Sequence, residues 1–510
     1  MRAFLFLLAL TLPLFLFRLG DRDFTSSHEA RAAQDAQSML SDGDWGVPHL
    51  LNRRLDLQKP PLFYWLVALL GGLGGAVNPW TVRLPAALSA VGCVLVVFLL
   101  GKRLGRPRAG FFAALILATS LHFTWLARVG RIDMPLTFCL TLAIAAHLVG
   151  RTARGASAGW RKGGRWFALG YLALAAAVLL KGPLAIVLFL LWQVGSHWLR
   201  WNPGTPPTPS SFGDRVARAT WWWGYPLVLL LVAPWFLWAN WKTDGELWRV
   251  FFVYHNFQRG LGTGENLASH PVWYYVPRLA VDLAPWSVLL PWAAWRSWRR
   301  RRSDEGENTD IGAFMVRISG FWFVAFIAFF SLMSFKRADY LLPAFPAFAL
   351  LVGALLDEAI VPGTTRRSWG AAVPLVACSV CIAWLLFLQC FDRDTARGWF
   401  LKEQASRLRS QGDLPVIFFR AEAHALAFHV GPPLDTVLEW ENLDVWSTRP
   451  ALVVMPPEAA AAWPDHLVKG RLFEITRLRA APDRDLVVFR TERVAWREPF
   501  DETVHARAAP

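Results

Sequence analysis

Apolar residues run in long unbroken blocks as far as residue 391, and short polar stretches separate them. Each block is long enough to cross a bilayer core of about 30 Å at roughly 1.5 Å rise per residue. The pattern predicts spans at 3–18, 81–100, 110–127, 134–149, 166–180, 183–199, 221–241, 278–295, 312–334, 338–356 and 370–391. The block at 61–77 differs, because Gly71, Gly72, Gly74 and Gly75 make a poor continuous helix. It reads as a re-entrant or interfacial helix. Residues 29–40, with Ala33, Ala36, Gln37 and Leu40 on one side, read as a helix along the membrane surface. The first apolar run has no Ala-x-Ala site after it and reads as an uncleaved span. The chain is therefore expected to be a polytopic α-helical membrane protein of about 11–13 spans, with re-entrant or interfacial helices in its first external loop.

The pattern changes after residue 392. Short apolar runs at 414–419, 451–455 and 486–489 alternate with helix-compatible segments such as 395–410, which predicts a small C-terminal extramembrane α/β domain. The expected division is a transmembrane domain at 1–392, with an external loop at 19–80, and an α/β domain at 393–510. With the N-terminus inside, the basic loops at 102–108, 151–165, 200–218, 296–302 and 366–367 face the cytoplasm, in keeping with the positive-inside bias. Eleven spans then put the tail on the opposite side.

Composition sharpens this reading: 55% of the 510 residues are hydrophobic and only 18% are charged, more apolar surface than a soluble chain needs. The net charge of +15 raises nucleic acid as a partner. The basic residues, however, sit in loops between spans, where they orient the protein and meet anionic lipid, so nucleic acid is excluded. The five cysteines lie in or at the ends of apolar spans and form no disulfide or metal framework.

The polar residues that remain gather on the non-cytoplasmic side. Lys59 stands before Pro60 and Pro61, whose fixed φ and missing donors make a stiff corner at the lip of an apolar run. An ammonium held there suits a phosphate at the lipid–water boundary, although a lysine reaching for headgroups gives the same pattern. Arg131 and Asp133 lie in the loop at 128–135, and Lys181-Gly182-Pro183 makes a turn between two spans. His255 and Arg259 fall in the loop at 242–277, and Lys336 and Tyr340 close the series. Each has a plain alternative: Arg128 and Arg131 as headgroup anchors, Asp133 as a helix cap ahead of Pro135. Together, cations and carboxylates ending on one face of one bundle point to a phosphate-binding site with a carboxylate able to take a proton.

The order of these motifs resembles the GT-C type integral-membrane glycosyltransferases, in particular the lipid A 4-amino-4-deoxy-L-arabinose transferases and the protein O-mannosyltransferases. The likeness covers about residues 20–350. It rests on His28-Glu29-Ala30-Arg31, Gly43-Asp44-Trp45 with Pro48, Gln58-Lys59-Pro60-Pro61-Leu62 with Tyr64-Trp65, and Arg83-Leu84-Pro85. It continues through Asp133, Lys181-Gly182, the stretch 255–259, Trp273-Tyr274-Tyr275, Pro285-Trp286, and Lys336 with Tyr340.

The resemblance implies transfer of a sugar from a polyprenyl-phosphate donor to a lipid, glycan or protein acceptor on the outer face of a bacterial inner membrane. The C-terminal domain would then be periplasmic. It implies donor-phosphate binding by Lys59, Arg259, Lys181 and Lys336, and substrate contacts from Arg31, Arg131, Tyr64 and Tyr340. Catalytic roles fall to Glu29, His28 and Asp133. Two positions depart from the family: His28 stands where an Asp is usual, and Gln58 where a Glu is frequent. The first moves the proton-accepting role to Glu29 or His28. The second weakens a divalent-metal site at His255, leaving no certain cofactor. A transporter or flippase of a lipid-linked intermediate, and a non-catalytic scaffold, remain as other readings of the same cations.

Overall fold

The computed structural model describes all residues except 25, 153–159, 199–211, 259–269, 304–310, 360–366, 396–399, 422, 468, 482–483 and 492–510. Arg259, and Arg154, Arg200 and Arg366 of the basic loops, lie outside the described residues. The chain forms two compact units. The first comprises Met1–Arg22, Asp35–His49 and Leu55–Ala396, and the second Asp23–Gln34, Leu50–Arg54 and Arg397–Pro510.

The first unit is helical. Among the described residues, seven helices are long and apolar enough to cross a membrane: Pro79–Arg103, Asp133–Thr152, Gly163–Lys181, Trp223–Lys242, Ile311–Leu332, Ala338–Ala359 and Gly370–Cys390. Four shorter apolar helices accompany them, at Arg2–Leu16, Leu62–Leu73, Pro107–Ala118 and Leu184–Ser196. Local chemistry sets many of their ends. We call Arg2–Leu16 α1, Ser27–Asp42 α2, Leu62–Leu73 α3, Pro79–Arg103 α4 and Pro107–Ala118 α5. α4 starts at a capping box, in which the Asn78 side chain accepts from Thr81 N at 3.1 Å and Thr81 Oγ1 accepts from Asn78 N at 3.0 Å. It ends with Lys102 and Arg103, cations suited to the negative end of the helix dipole. α3 has 12 residues, too short to cross a bilayer, which agrees with its expected re-entrant or interfacial character.

Two expected spans are interrupted. The stretch 110–127 breaks after α5, where Thr119 and Ser120 turn their hydroxyls back to Leu115 O and Ile116 O at 2.6 and 2.7 Å. The chain resumes as α6, Leu121–Leu126, whose first amide is bonded to Ala284 O at 2.9 Å. The stretch 278–295 divides into a helix at Tyr275–Asp282, a 3₁₀ turn at Trp286–Leu289 and a helix at Leu290–Ser303. Pro285, lacking an N–H, sits at the interruption. Both breaks expose side chains that a continuous helix would have pointed elsewhere. Within the α2 segment, Ala32, Ala33, Gln34, Asp35 and Ala36 are all buried.

Arg128 and Arg83 have structural work within the bundle. The Arg128 guanidinium, read from sequence as a headgroup anchor, is buried and donates to Leu14 O at 3.1 Å and Phe17 O at 2.6 Å. These are carbonyls at the end of α1 that have no partner within the helix. Arg83 donates to Leu19 O at 3.0 Å and Arg22 O at 2.8 Å, pinning the chain just beyond.

Close approach at glycine joins the central helices. A Cβ on Gly110 of α5 would lie 2.6 Å from Phe98 O and 3.0 Å from Gly101 Cα of α4. On the other side of α5, a Cβ on Gly353 of the Phe345–Ala359 helix would lie 2.5 Å from Ala109 O. Small residues at these crossings let backbones touch, the packing mode available where lipid removes the hydrophobic drive.

The second unit contains a five-stranded sheet of order β2-β1-β3-β5-β4. The strands are β1 Val416–Phe419, β2 Leu434–Val437, β3 Leu452–Met455, β4 Leu472–Ala481 and β5 Arg484–Thr491. β2, β1 and β3 are parallel, with helices His424–Val430 and Trp440–Trp446 in the crossovers, and β4–β5 is an antiparallel hairpin on the β3 edge. Side chains alternate in the manner of a sheet covered on both faces. Val416, Phe418, Leu452 and Val454 join one apolar core, and Ile417, Phe419, Val453 and Met455 join the other.

Substitution Gly110→Val should lower the thermal midpoint of the detergent-solubilised protein by several degrees, because the clash is with backbone and costs about 1–3 kcal/mol. Gly320→Ala, whose Cβ would meet nothing closer than Leu351 Cδ1 at 3.9 Å, should leave the midpoint within a degree or two. Intrinsic tryptophan fluorescence during heating measures both.

Candidate active site

Two neighbouring helices place the central pair. α7, Asp133–Thr152, begins with Asp133, and α8, Trp160–Lys181, ends with Lys181. α7 and α8 pack against each other, and Lys181 Nζ donates to Asp133 Oδ1 at 2.6 Å. Each charge suits its helix end, a carboxylate at a first turn and an ammonium at a last turn. Gly182 ends α8 with φ +81°, its amide bonded to Val178 O at 2.7 Å, and a Cβ there would sit 2.4 Å from the Phe251 ring. The Lys-Gly-Pro turn therefore holds the ammonium in one place. The same ammonium lies 4.7 Å above the Tyr340 ring. Asp133 is not the helix cap read from sequence: its carboxylate goes to Lys181 and, at 3.5 Å, to Arg131 Nε.

From this pair a ladder of charges extends through the unit. Arg131 Nη1 is 2.7 Å from Asp339 Oδ2, so its guanidinium bridges two carboxylates. Arg337 Nη2 reaches the same Asp339 oxygen at 3.5 Å. On the other side of Asp339 stands His122, with Nε2 3.4 Å from Asp339 Oδ1 and Nδ1 3.9 Å from Asp282 Oδ1. Arg278 then holds Asp282 with both arms of its fork, at 2.7 and 3.3 Å. The helix break before α6 points His122 here, and the break at Pro285 ends the helix carrying Arg278 and Asp282 beside it.

Lys336 completes the array. Its ammonium is buried and donates to two carbonyls, His270 O at 2.8 Å and Met333 O at 2.5 Å. Burial draws its pKa below the ordinary lysine value. Tyr275 donates its hydroxyl to Arg337 O at 3.2 Å, and burial raises the pKa of that hydroxyl, keeping it a neutral donor. Lys181, Arg131, Arg337 and Arg278 thus stand against Asp133, Asp339 and Asp282, and Lys336, next to Arg337 in sequence, is held by carbonyls. The surplus positive charge is held by carboxylates and carbonyls in a largely buried setting, which suits a phosphate or pyrophosphate anion.

Of the residues expected from sequence, Asp133, Lys181, Arg131, Tyr340 and Lys336 fall in this array. Lys59 occupies the turn ahead of α3, half-buried, behind an Asx turn in which Gln58 N donates to Asp56 Oδ1 at 3.3 Å. Tyr64 is buried on α3. His255 lies on the π-helix Trp248–Gln258, its ring 5.0 Å from that of Tyr254. Among the described residues, no group of three His, Cys, Asp or Glu side chains gathers to hold a metal ion. His28, Glu29 and Arg31 belong to the second unit, where Glu29 is fully buried and its amide donates to Ser26 Oγ at 3.3 Å. Sequence reading missed Asp339, His122, Asp282, Arg278 and Arg337. The Arg337-x-Asp339 spacing and the i, i+4 pair Arg278/Asp282 were the available signals.

Residues 58–204 match the dolichyl-phosphate-mannose-protein mannosyltransferase family profile. An undecaprenyl phosphate-alpha-4-amino-4-deoxy-L-arabinose arabinosyl transferase of Pseudomonas aeruginosa is 30% identical over 355 residues, 69% of this chain and 59% of the relative. A second transferase of that name from Pseudomonas fluorescens is 32% identical over 357 residues, 69% of this chain and 58% of the relative. The chain spans about three-fifths of the length of the curated relatives it matches. In fold it is similar to ArnT from Cupriavidus metallidurans bound to undecaprenyl phosphate, with TM-score 0.73, 20% identity and coverage of 96% and 98% of the two chains. It is less similar to the oligosaccharyltransferase AglB of Archaeoglobus fulgidus in complex with an inhibitory peptide and a dolichol-phosphate, with TM-score 0.54, 11% identity and coverage of 98% and 75%.

Breaking the central pair should be costly and non-additive. Asp133→Asn or Lys181→Met alone strands a buried charge and should cost about 3–5 kcal/mol. The double variant removes both charges and should cost clearly less than the sum. Denaturant titration of the four proteins in one detergent completes the cycle.

Proposed function

We propose that this chain, a relative of the GT-C type integral-membrane glycosyltransferases, transfers a sugar from a polyprenyl-phosphate donor to an acceptor on the non-cytoplasmic face of a bacterial inner membrane. The observation that carries the reading is the buried array around Lys181 and Asp133, whose cations outnumber its carboxylates. A donor that leaves as lipid phosphate needs that surplus, because negative charge grows on the departing oxygen as the sugar bond breaks. Sequence kinship with arabinosyl transferases over two-thirds of the chain supports the same chemistry.

The reaction is a displacement at the anomeric carbon. The acceptor oxygen bonds to that carbon, the carbon–oxygen bond to phosphate breaks, and the electron pair leaves on the lipid phosphate. Lys59, on its proline-stiffened corner, Arg259 and Lys336 bind that phosphate, and Lys181 and Arg131 keep the surrounding field positive. Arg31, Tyr64 and Tyr340 contact the sugar or acceptor. The acceptor proton goes to Glu29, with His28 as the other candidate. Asp133 is a poor base, because its two oxygens already receive Lys181 and Arg131; its work is to hold those cations. The sheet domain lies on the same side of the membrane as the reaction, in the periplasm.

Lys59→Ala should reduce transfer from a radiolabelled polyprenyl-phosphate sugar at least a hundredfold while leaving the thermal midpoint unchanged. Transfer at the wild-type rate by that variant would overturn the mechanism. Glu29→Gln and His28→Ala, compared in the same assay, separate the two bases: the true one should cost two or more orders of magnitude in kcat, the other less than tenfold.

A further inference from the structure

The second unit is more than the C-terminal sheet. It includes Asp23–Gln34 and Leu50–Arg54, two pieces of the first loop far away in sequence. Four contacts hold them. His429 Nε2, on the helix His424–Val430, meets both oxygens of Asp23, at 2.8 and 3.0 Å, and the two side chains are nearly inaccessible to solvent. Phe24 stands edge-on to Phe428, with ring centres 5.2 Å apart. Gln34 Nε2 donates to His424 O at 2.8 Å, and Asn52 Nδ2 donates to Thr436 Oγ1 on β2 at 3.0 Å. The ends of the short segment Asp23–Gln34 are both fastened, one by His429 and the other by the His424 carbonyl, and between them lie His28, Glu29 and Arg31.

We propose that the C-terminal sheet domain is the mount that sets the position of Glu29 for catalysis, and that His429 and Asp23 are positioning residues that fasten it. The inference rests on the functional reading above and assigns the domain a part in that reaction. A carboxylate on a helix turn that could swing by an ångström would serve poorly as a base, and fixing the segment at both ends removes that freedom. A buried imidazole–carboxylate contact is directional, and losing either partner leaves the other buried without it. The edge-on Phe24–Phe428 contact adds apolar area beside the polar fastening.

The test uses the full-length protein in detergent micelles. Amide hydrogen exchange over 26–34 and steady-state kinetics with a polyprenyl-phosphate sugar are measured for wild type, His429→Ala, Asp23→Ala and His429→Gln. Either alanine variant should raise exchange over 26–34 at least tenfold and lower kcat at least tenfold. The KM for the lipid donor should change less than threefold, because the donor's phosphate cations lie on other segments. His429→Gln, which keeps a donor at this position, should restore most of both. Unaltered exchange over 26–34, or faster exchange with unchanged kcat, overturns the proposal. A loss seen only in donor KM overturns it as well. Where His429→Ala unfolds the sheet domain, Gln34→Ala at the second fastening is read in the same two assays with the same criteria. Absence of transfer by wild type overturns the preceding functional reading; wild-type transfer with kcat indifferent to the fastening overturns this inference alone.

Discussion

The ion pair between Asp133 and Lys181 is the contact on which the first unit's polar interior depends. An ammonium and a carboxylate at 2.6 Å, both nearly inaccessible to solvent, survive in an apolar bundle only because each satisfies the other. The pair also fixes the rest of the ladder. Asp133 takes Arg131, Arg131 takes Asp339, and Asp339 takes Arg337 and His122. Taken singly, each of these groups would be expensive at this depth; linked, they form a continuous polar seam.

That seam is made possible by interruptions in helices. Lys181 is the last residue of α8 because Gly182 adopts a left-handed φ. His122 reaches Asp339 and Asp282 because the helix stops at Thr119 and Ser120. Asp339 lies on a 3₁₀ turn, Ala338–Ala344, at the start of an apolar helix. Irregular backbone at membrane depth is tolerated where protein groups satisfy it, and the trapped carbonyls here do find partners in Lys336, Arg128 and Arg83.

Sequence reading recovered the membrane class and the three apolar runs that become β1, β3 and β5, because bilayer length and sheet alternation leave strong periodic signals. It also singled out Asp133 and Lys181, since charges and Gly-Pro turns stand out against apolar surroundings. It kept a headgroup anchor as an alternative for Arg128 and a helix cap as an alternative for Asp133, for a single reason: periodicity locates a residue on an element but not the neighbour it meets. Arg128's partners lie more than a hundred positions away on α1. Asp282 and Asp339 were hidden inside segments read as spans, and only their pairing with Arg278, Arg131 and Arg337 reveals their part. The union of 23–34 with the C-terminal sheet left no trace in any local pattern.

The same geometry bears on the division of labour between carboxylates. A base must have an oxygen open to the proton it accepts, and its proton affinity must not be suppressed by neighbouring cations. Asp133 and Asp339 lack such an open oxygen, being held by an ammonium or guanidinium on each side. What they can do is hold those cations in place, so that the positive field is already formed and costs little reorganisation when negative charge develops beside it. A carboxylate serving as base is better kept apart from such a cluster, on a separate mount.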